Sequence, residues 1–98
     1  MPQIIISAKA TRDLKKTREC LLQFNEEAAQ KAAATLIEAI NLLLDHPLLG
    51  KPHEDMPEYR DLIQPFGSGA YTIRYRIDFD TIVVVGIKHS KEKTLYTL

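Results

Sequence analysis

The run YTIRYRIDFDTIVVVGIKH, Tyr71 to His89, limits what this chain can fold into more than any other stretch. Tyr71, Ile73, Tyr75 and Ile77 alternate with Thr72, Arg74 and Arg76, so a period of two puts an apolar row on one face and two guanidinium groups on the other. That is a half-buried strand. After Asp78-Phe79-Asp80, the run Ile82-Val83-Val84-Val85-Gly86-Ile87 is apolar throughout, the pattern of an interior strand covered on both faces. Asp78 and Asp80 suit a tight turn, because their carboxylates bond nearby backbone. The stretch therefore predicts a β-hairpin as the floor of the domain.

The preceding chain supplies what packs on that floor. Ile4, Ile5 and Ile6 predict a short strand from Gln3 to Ser7, buried on both faces and paired inside the sheet. Ser7 is a suitable N-cap for a helix from Ala8 to Phe24, whose apolar stripe is Ala10, Leu14, Thr17, Leu21 and Phe24. Asn25 caps a second helix, with Glu26 and Glu27 complementing the positive end of its dipole. Its stripe is Ala29, Ala33, Leu36, Ile40 and Leu43, widened by Ala32, Ile37 and Leu44. Two amphipathic helices this close together form an antiparallel hairpin. Asp45-His46-Pro47 ends the second helix, since proline disfavours helical geometry in the residue before it. Pro47 to Glu58 reads as a loop, Arg60 to Phe66 as a strand with Pro65 at an edge or near its end, and Gly67-Ser68-Gly69 as a turn. The predicted class is α+β, in the order β-α-α-β-β-β, with the helical hairpin on one face of a small, mainly antiparallel sheet.

With 98 residues the chain is expected to form a single domain, 1–98, able to bury roughly 60–70 % of its unfolded surface. No apolar run approaches the roughly 20 residues needed to span a bilayer, and the start is too short for a signal peptide, so the expected location is cytoplasmic with no membrane partner. The single cysteine, Cys20, has no disulfide mate within the chain and is expected to be a small buried apolar group. Formal net charge is zero, but Lys9–Glu19 carries +3, Glu26–Asp61 carries −5 and the chain from Arg74 onward carries +2. Such poles can steer a charged partner, although solvated helix faces produce much the same pattern.

Candidate chemistry concentrates near the end of the chain. Arg74 and Arg76 share a face, and the last strand runs into Lys88, His89, Lys91 and Lys93. His89 shares parity with Val83, Val85 and Ile87, and is followed by Tyr96. Metal-free RNA cleavage needs a base for the 2′-hydroxyl, an acid for the leaving oxygen and cations on the phosphate, and His89, Tyr96, Arg74 and the lysines are of those types. His46, His53, Glu54 and Asp55 fit no metal spacing. Gly67-Ser68-Gly69 precedes a strand and not a helix, so it is a turn and not a phosphate cradle. No cofactor or metal is expected.

The leading strand, the helical hairpin, Pro47-x-x-Gly50-x-Pro52, Arg60-Asp61-Leu62, Gly67-Ser68-Gly69-Ala70-Tyr71, Ile73-x-Tyr75-x-Ile77 and Ile87-x-His89 together resemble the RelE/ParE superfamily of bacterial toxins. The resemblance covers essentially the whole chain. It implies the toxin half of a type II toxin-antitoxin pair, neutralised by a cognate antitoxin. One mechanism on this fold cuts mRNA in the ribosomal A site, and the other blocks DNA gyrase. The nuclease type is matched at Tyr96, His89, Lys91 and Arg74, of which His89, Tyr96 and Arg74 would then be the catalytic candidates. It is not matched at Leu62, Ile63, Gln64, Pro65 and Gly67, where that branch carries cations and this chain has only Arg60. The Gly50-Lys51-Pro52 loop and the His89 ending are closer to the ParE side, which makes gyrase inhibition the preferred expectation. A ribosome-dependent endoribonuclease and an inactive antitoxin-binding remnant are the alternatives. Arg60, Arg74, Arg76, Lys88, Lys91 and Lys93 are the expected contacts to antitoxin or target.

Overall fold

The structure is a computed structural model that describes residues 3–67 and 69–90. Its elements are β1 (Gln3–Ile6), α1 (Ala8–Leu22), α2 (Glu26–Asp45), β2 (Lys51–Pro52), β3 (Tyr59–Phe66), β4 (Gly69–Asp78) and β5 (Thr81–His89). The strands form one sheet in the order β1-β5-β4-β3-β2, with β1 parallel to β5 and every other pairing antiparallel. This is the α+β arrangement read from the sequence, with one addition. The segment Pro47–Glu58, read as a loop, contains β2, a two-residue strand pairing Lys51 with Asp61 and Pro52 with Arg60.

Both helices start where side-chain caps permit. Ser7 Oγ accepts from the Ala10 N–H and Asn25 Oδ1 from the Ala28 N–H, each at 3.1 Å. α1 stops at Leu22, short of the expected Phe24, because Asn25 must be extended (φ −166°) to cap α2. Phe24 therefore leaves the stripe and is 72 % exposed. α2 supplies most of the helical core through Ala29, Ala32, Leu36, Ala39, Ile40 and Leu43, against Tyr71, Ile73, Tyr75, Ile82, Val84 and Ile87 of the sheet. Of α1 only Ala10 and Thr17 are fully buried, and Cys20 is half-buried.

α1 has a second task. β1 ends at Ile6, whereas β5 continues to His89, so the outer edge of β5 would be left unpaired. Ser7 extends the pairing by one bond, N–H to Val84 C=O at 2.9 Å. Beyond it, Asp13 Oδ2 accepts from the Ile87 N–H at 3.1 Å, so a helix carboxylate blocks an edge that could template another strand.

Two expectations of burial are overturned. β1 is an edge strand, not an interior one, and Ile5 and Ile6 are 51 % and 40 % exposed; one side of β1 pairs with β5, and only Ile4 packs against the core. β5 is paired on both sides but, among the described residues, covered on one face only. Ile82, Val84 and Ile87 are buried under the helices, while Val83, Val85 and Gly86 on the far face are half-exposed.

The segment after α2 is fastened to the sheet by Tyr75. Its buried hydroxyl donates to the Pro47 carbonyl at 2.7 Å and accepts from the Gly50 N–H at 2.9 Å. Glycine is required at 50 because a Cβ there would lie 2.8 Å from Tyr75 Cε1 and 3.0 Å from the Asp61 backbone carbon. Arg60 Nη1 donates to the Gly50 carbonyl at 2.8 Å. Burial raises the pKa of the Tyr75 phenol above its ordinary value, opposed in part by the Gly50 bond.

Candidate functional site

The helices cover one face of the sheet, and among the described residues the other face is open. Cross-strand pairs lie on the same face, so the register assigns every side chain to a face. Tyr75 opposite Val84 and Ile73 opposite Ile87 point to the helices. Arg76 opposite Val83 and Tyr59, Arg74 opposite Asp61 and Gly86, and Thr72 opposite Ile63 and Lys88 point away from them. Arg74 and Arg76 thus occupy the helix-free face, opposite the tyrosines, as the alternation in the sequence predicts.

The register shifts once. Tyr75 pairs with Val84 and Arg74 with Gly86, which leaves Val85 as a bulge. A one-residue bulge reverses the facing of everything beyond it. His89 shares numerical parity with Val83 and Val85, but after the bulge it lies on the helix side with Ile87. There its ring meets the edge of Tyr71, at a centroid distance of 4.7 Å and an interplanar angle of 71°. His89 and Arg74 are therefore on opposite faces of the sheet. Tyr96, the third catalytic candidate, lies outside the described residues, as do Lys91 and Lys93.

On the open face a concavity of about 370 Å³ is lined by Lys9, Met56, Tyr59, Thr72, Arg74, Val85 and Lys88. It brings together Arg74 and Lys88, both singled out in the sequence, with Lys9 from α1, which was not. Two of its three cations are already engaged. Arg74 donates to both oxygens of Asp61, Nε at 2.8 Å and Nη2 at 3.0 Å, and this bond raises the guanidinium pKa further. Lys9 Nζ lies 2.9 Å from Asp13 Oδ2. Lys88 is exposed at the rim, and Arg76 is half-buried one step along the strand. Arg60 is not on this face, because it opposes Tyr75 and is spent on the Gly50 carbonyl.

The partner of Arg74 is not legible in the turn read as Gly67-Ser68-Gly69, which would pair Phe66 with Ala70 and put Leu62 opposite Arg74. Gly69 instead belongs to β4 and pairs with Phe66, and that register puts Asp61 opposite Arg74. Lys9 is not legible either, since its position depends on α1 lying along an unpaired edge. Among the described residues no group of three or more His, Cys, Asp or Glu could hold a metal ion. His46 caps α2, and His53 Nδ1 accepts from the N–H groups of Asp55 and Met56.

Comparison with known proteins agrees with this architecture. The chain is 31 % identical over 93 residues to Toxin RelE3 of Caulobacter vibrioides, covering 95 % of this chain and 99 % of that one. It is 30 % identical over 90 residues to Toxin RelE1 of the same organism, covering 92 % and 95 %. A solved structure, the chromosomal ParDE TA system from P. aeruginosa, superimposes with a TM-score of 0.72 over 90 % of this chain and 95 % of that one, at 22 % identity, a likeness of fold. Residues 4–94 match the family model described as ParE toxin of type II toxin-antitoxin system, parDE, and the chain therefore belongs to the RelE/ParE superfamily of type II toxins.

Proposed function

We propose that this protein acts in the cytoplasm as a growth-arresting toxin that inhibits DNA gyrase and is held inactive by a cognate antitoxin. The observation that carries the reading is the helix-free face. Ile5, Ile63, Val83 and Val85 lie there beside Arg74, Arg76 and Lys88, none of them fully buried. β5 has the sequence of a strand covered twice, and among the described residues a cover on one side only. An antitoxin segment with apolar anchors and acidic groups would complete it. The same face presents the expected contacts Arg74, Arg76 and Lys88.

Non-nuclease action is supported by the separation of His89 from Arg74 and by the engagement of Arg74 with Asp61. For 2′-hydroxyl attack the proton-transferring histidine and the cation on the phosphate must both reach one phosphate. The match to the ParE family supports it as well. The ribonuclease reading keeps one specific support, the RelE names of the two curated relatives. Toxin freed of antitoxin, added to a gyrase supercoiling reaction and separately to ribosomes translating a defined mRNA, discriminates the two. The expected result is loss of supercoiling with intact mRNA, and mRNA cut at codon positions with supercoiling unaffected would reverse the assignment.

A further inference from the structure

The tip of the β4–β5 hairpin is built against its own conformational preference. Asp78 pairs with Thr81, so the loop is Phe79-Asp80 alone. Phe79 has φ +58°, and among the described residues it is the one non-glycine with positive φ. Positive φ at the first of two loop residues is the requirement of a II′ hairpin turn, a position that glycine fills without strain. A bulky side chain there is a genuine outlier. The strain is not offset by packing, since Phe79 is 97 % exposed.

Exposed apolar residues taken singly need no explanation. Phe24 is exposed too, but at an ordinary backbone position after a helix. Phe79 differs because stability alone favours glycine at its position, and the ring makes no return within the fold. Strain that persists without local compensation concentrates where a residue is presented to something else. The flanking Asp78 and Asp80 are exposed and define what that can be. Two carboxylates beside the ring are repelled by nucleic-acid phosphates and attracted by lysines and arginines.

We infer that Phe79 is an anchor residue through which the toxin engages its target, a protein offering an apolar pocket bordered by cationic side chains. The inference rests on the reading that the target is a protein. It assigns the hairpin tip to the target, leaving the helix-free face to the antitoxin. An aromatic seated in such a pocket is a typical hot spot, and hot-spot losses begin at about 30-fold in affinity.

The test compares wild type with Phe79→Gly, Phe79→Leu and Asp78→Asn, each produced with the cognate antitoxin and then released from it. Four quantities are read: antitoxin co-purification, melting temperature, growth arrest on induction at matched protein level, and the concentration that halves gyrase supercoiling. Phe79→Gly should keep the antitoxin, melt no lower than wild type because glycine accepts the turn, and lose roughly 30-fold or more in potency. Phe79→Leu should fall between the two, and Asp78→Asn should weaken inhibition most at low salt. Full growth arrest by Phe79→Gly would overturn the inference, as would loss of antitoxin binding with toxicity retained, which would give the tip to the antitoxin. Growth arrest by wild type without gyrase inhibition, abolished in Phe79→Gly, would remove the gyrase reading and leave the anchor standing on another protein. Equal mRNA cleavage by wild type and Phe79→Gly would remove both.

Discussion

Replacing Tyr75 by phenylalanine removes one oxygen and leaves the ring, which isolates the polar work of this residue from its packing. The lost hydroxyl bridges the Pro47 carbonyl and the buried Gly50 N–H. Losing the Pro47 bond costs about 1 kcal/mol and orphaning the buried Gly50 donor about 1–3, so a loss of about 2–4 kcal/mol is expected. For a domain of this size that lowers the melting temperature by about 10–30 °C. Denaturant titration of the antitoxin-free toxin measures the free energy directly. pH supplies a second arm. Burial raises the folded phenol pKa, so the stability it represents is fully present below the unfolded value of about 10 and is lost as pH rises through the folded one. Tyr75→Phe should flatten that alkaline limb. A loss below about 0.5 kcal/mol, with an unchanged alkaline profile, would refute the claim that this hydroxyl fastens the segment to the sheet.

Gly50→Ala tests the same junction from the other side: its Cβ would crowd the Tyr75 ring and the Asp61 backbone, and denaturation should show a loss of about 1–3 kcal/mol. Asp61→Ala frees Arg74 from a half-exposed ion pair, so stability should change by no more than about 1 kcal/mol while heparin-column elution shifts to higher salt; unchanged elution would mean that Arg74 does not contribute to the field of the open face. Asp13→Ala should cost about 1–2 kcal/mol and, more specifically, speed hydrogen exchange at the Ile87 amide, which exchange unchanged from wild type would contradict.

Much of this architecture is legible in the chain because local rules and tertiary structure agree. Ser7 and Asn25 cap the helices they precede, Pro47 follows the end of α2, and the tyrosine–arginine alternation assigns the faces of β4. The misreadings of β1 and β5 share one cause, which is that apolarity does not say what covers a residue. Ile4–Ile6 and the valines of β5 look doubly buried, yet one face of each strand has no cover among the described residues. β2 escaped notice because a two-residue strand carries no periodicity. The facing of His89 was beyond reach for a different reason. A bulge at Val85 changes no residue type and leaves no composition signal, yet it moves the histidine across the sheet from Arg74. The pairing of Arg74 with Asp61 likewise depends on one residue, because Gly69, read as part of the turn, belongs to β4 and pairs with Phe66.

The proposed route to growth arrest runs through gyrase and not through mRNA. Induction without antitoxin, followed within minutes by mapping of mRNA 5′ ends and by recovery of gyrase-linked DNA breaks from the same culture, separates the two. Gyrase-linked breaks with intact messages are the predicted result. Prompt cuts at codon positions, with DNA supercoiling undisturbed, would contradict it and make His89 and Tyr96 the first residues to mutate.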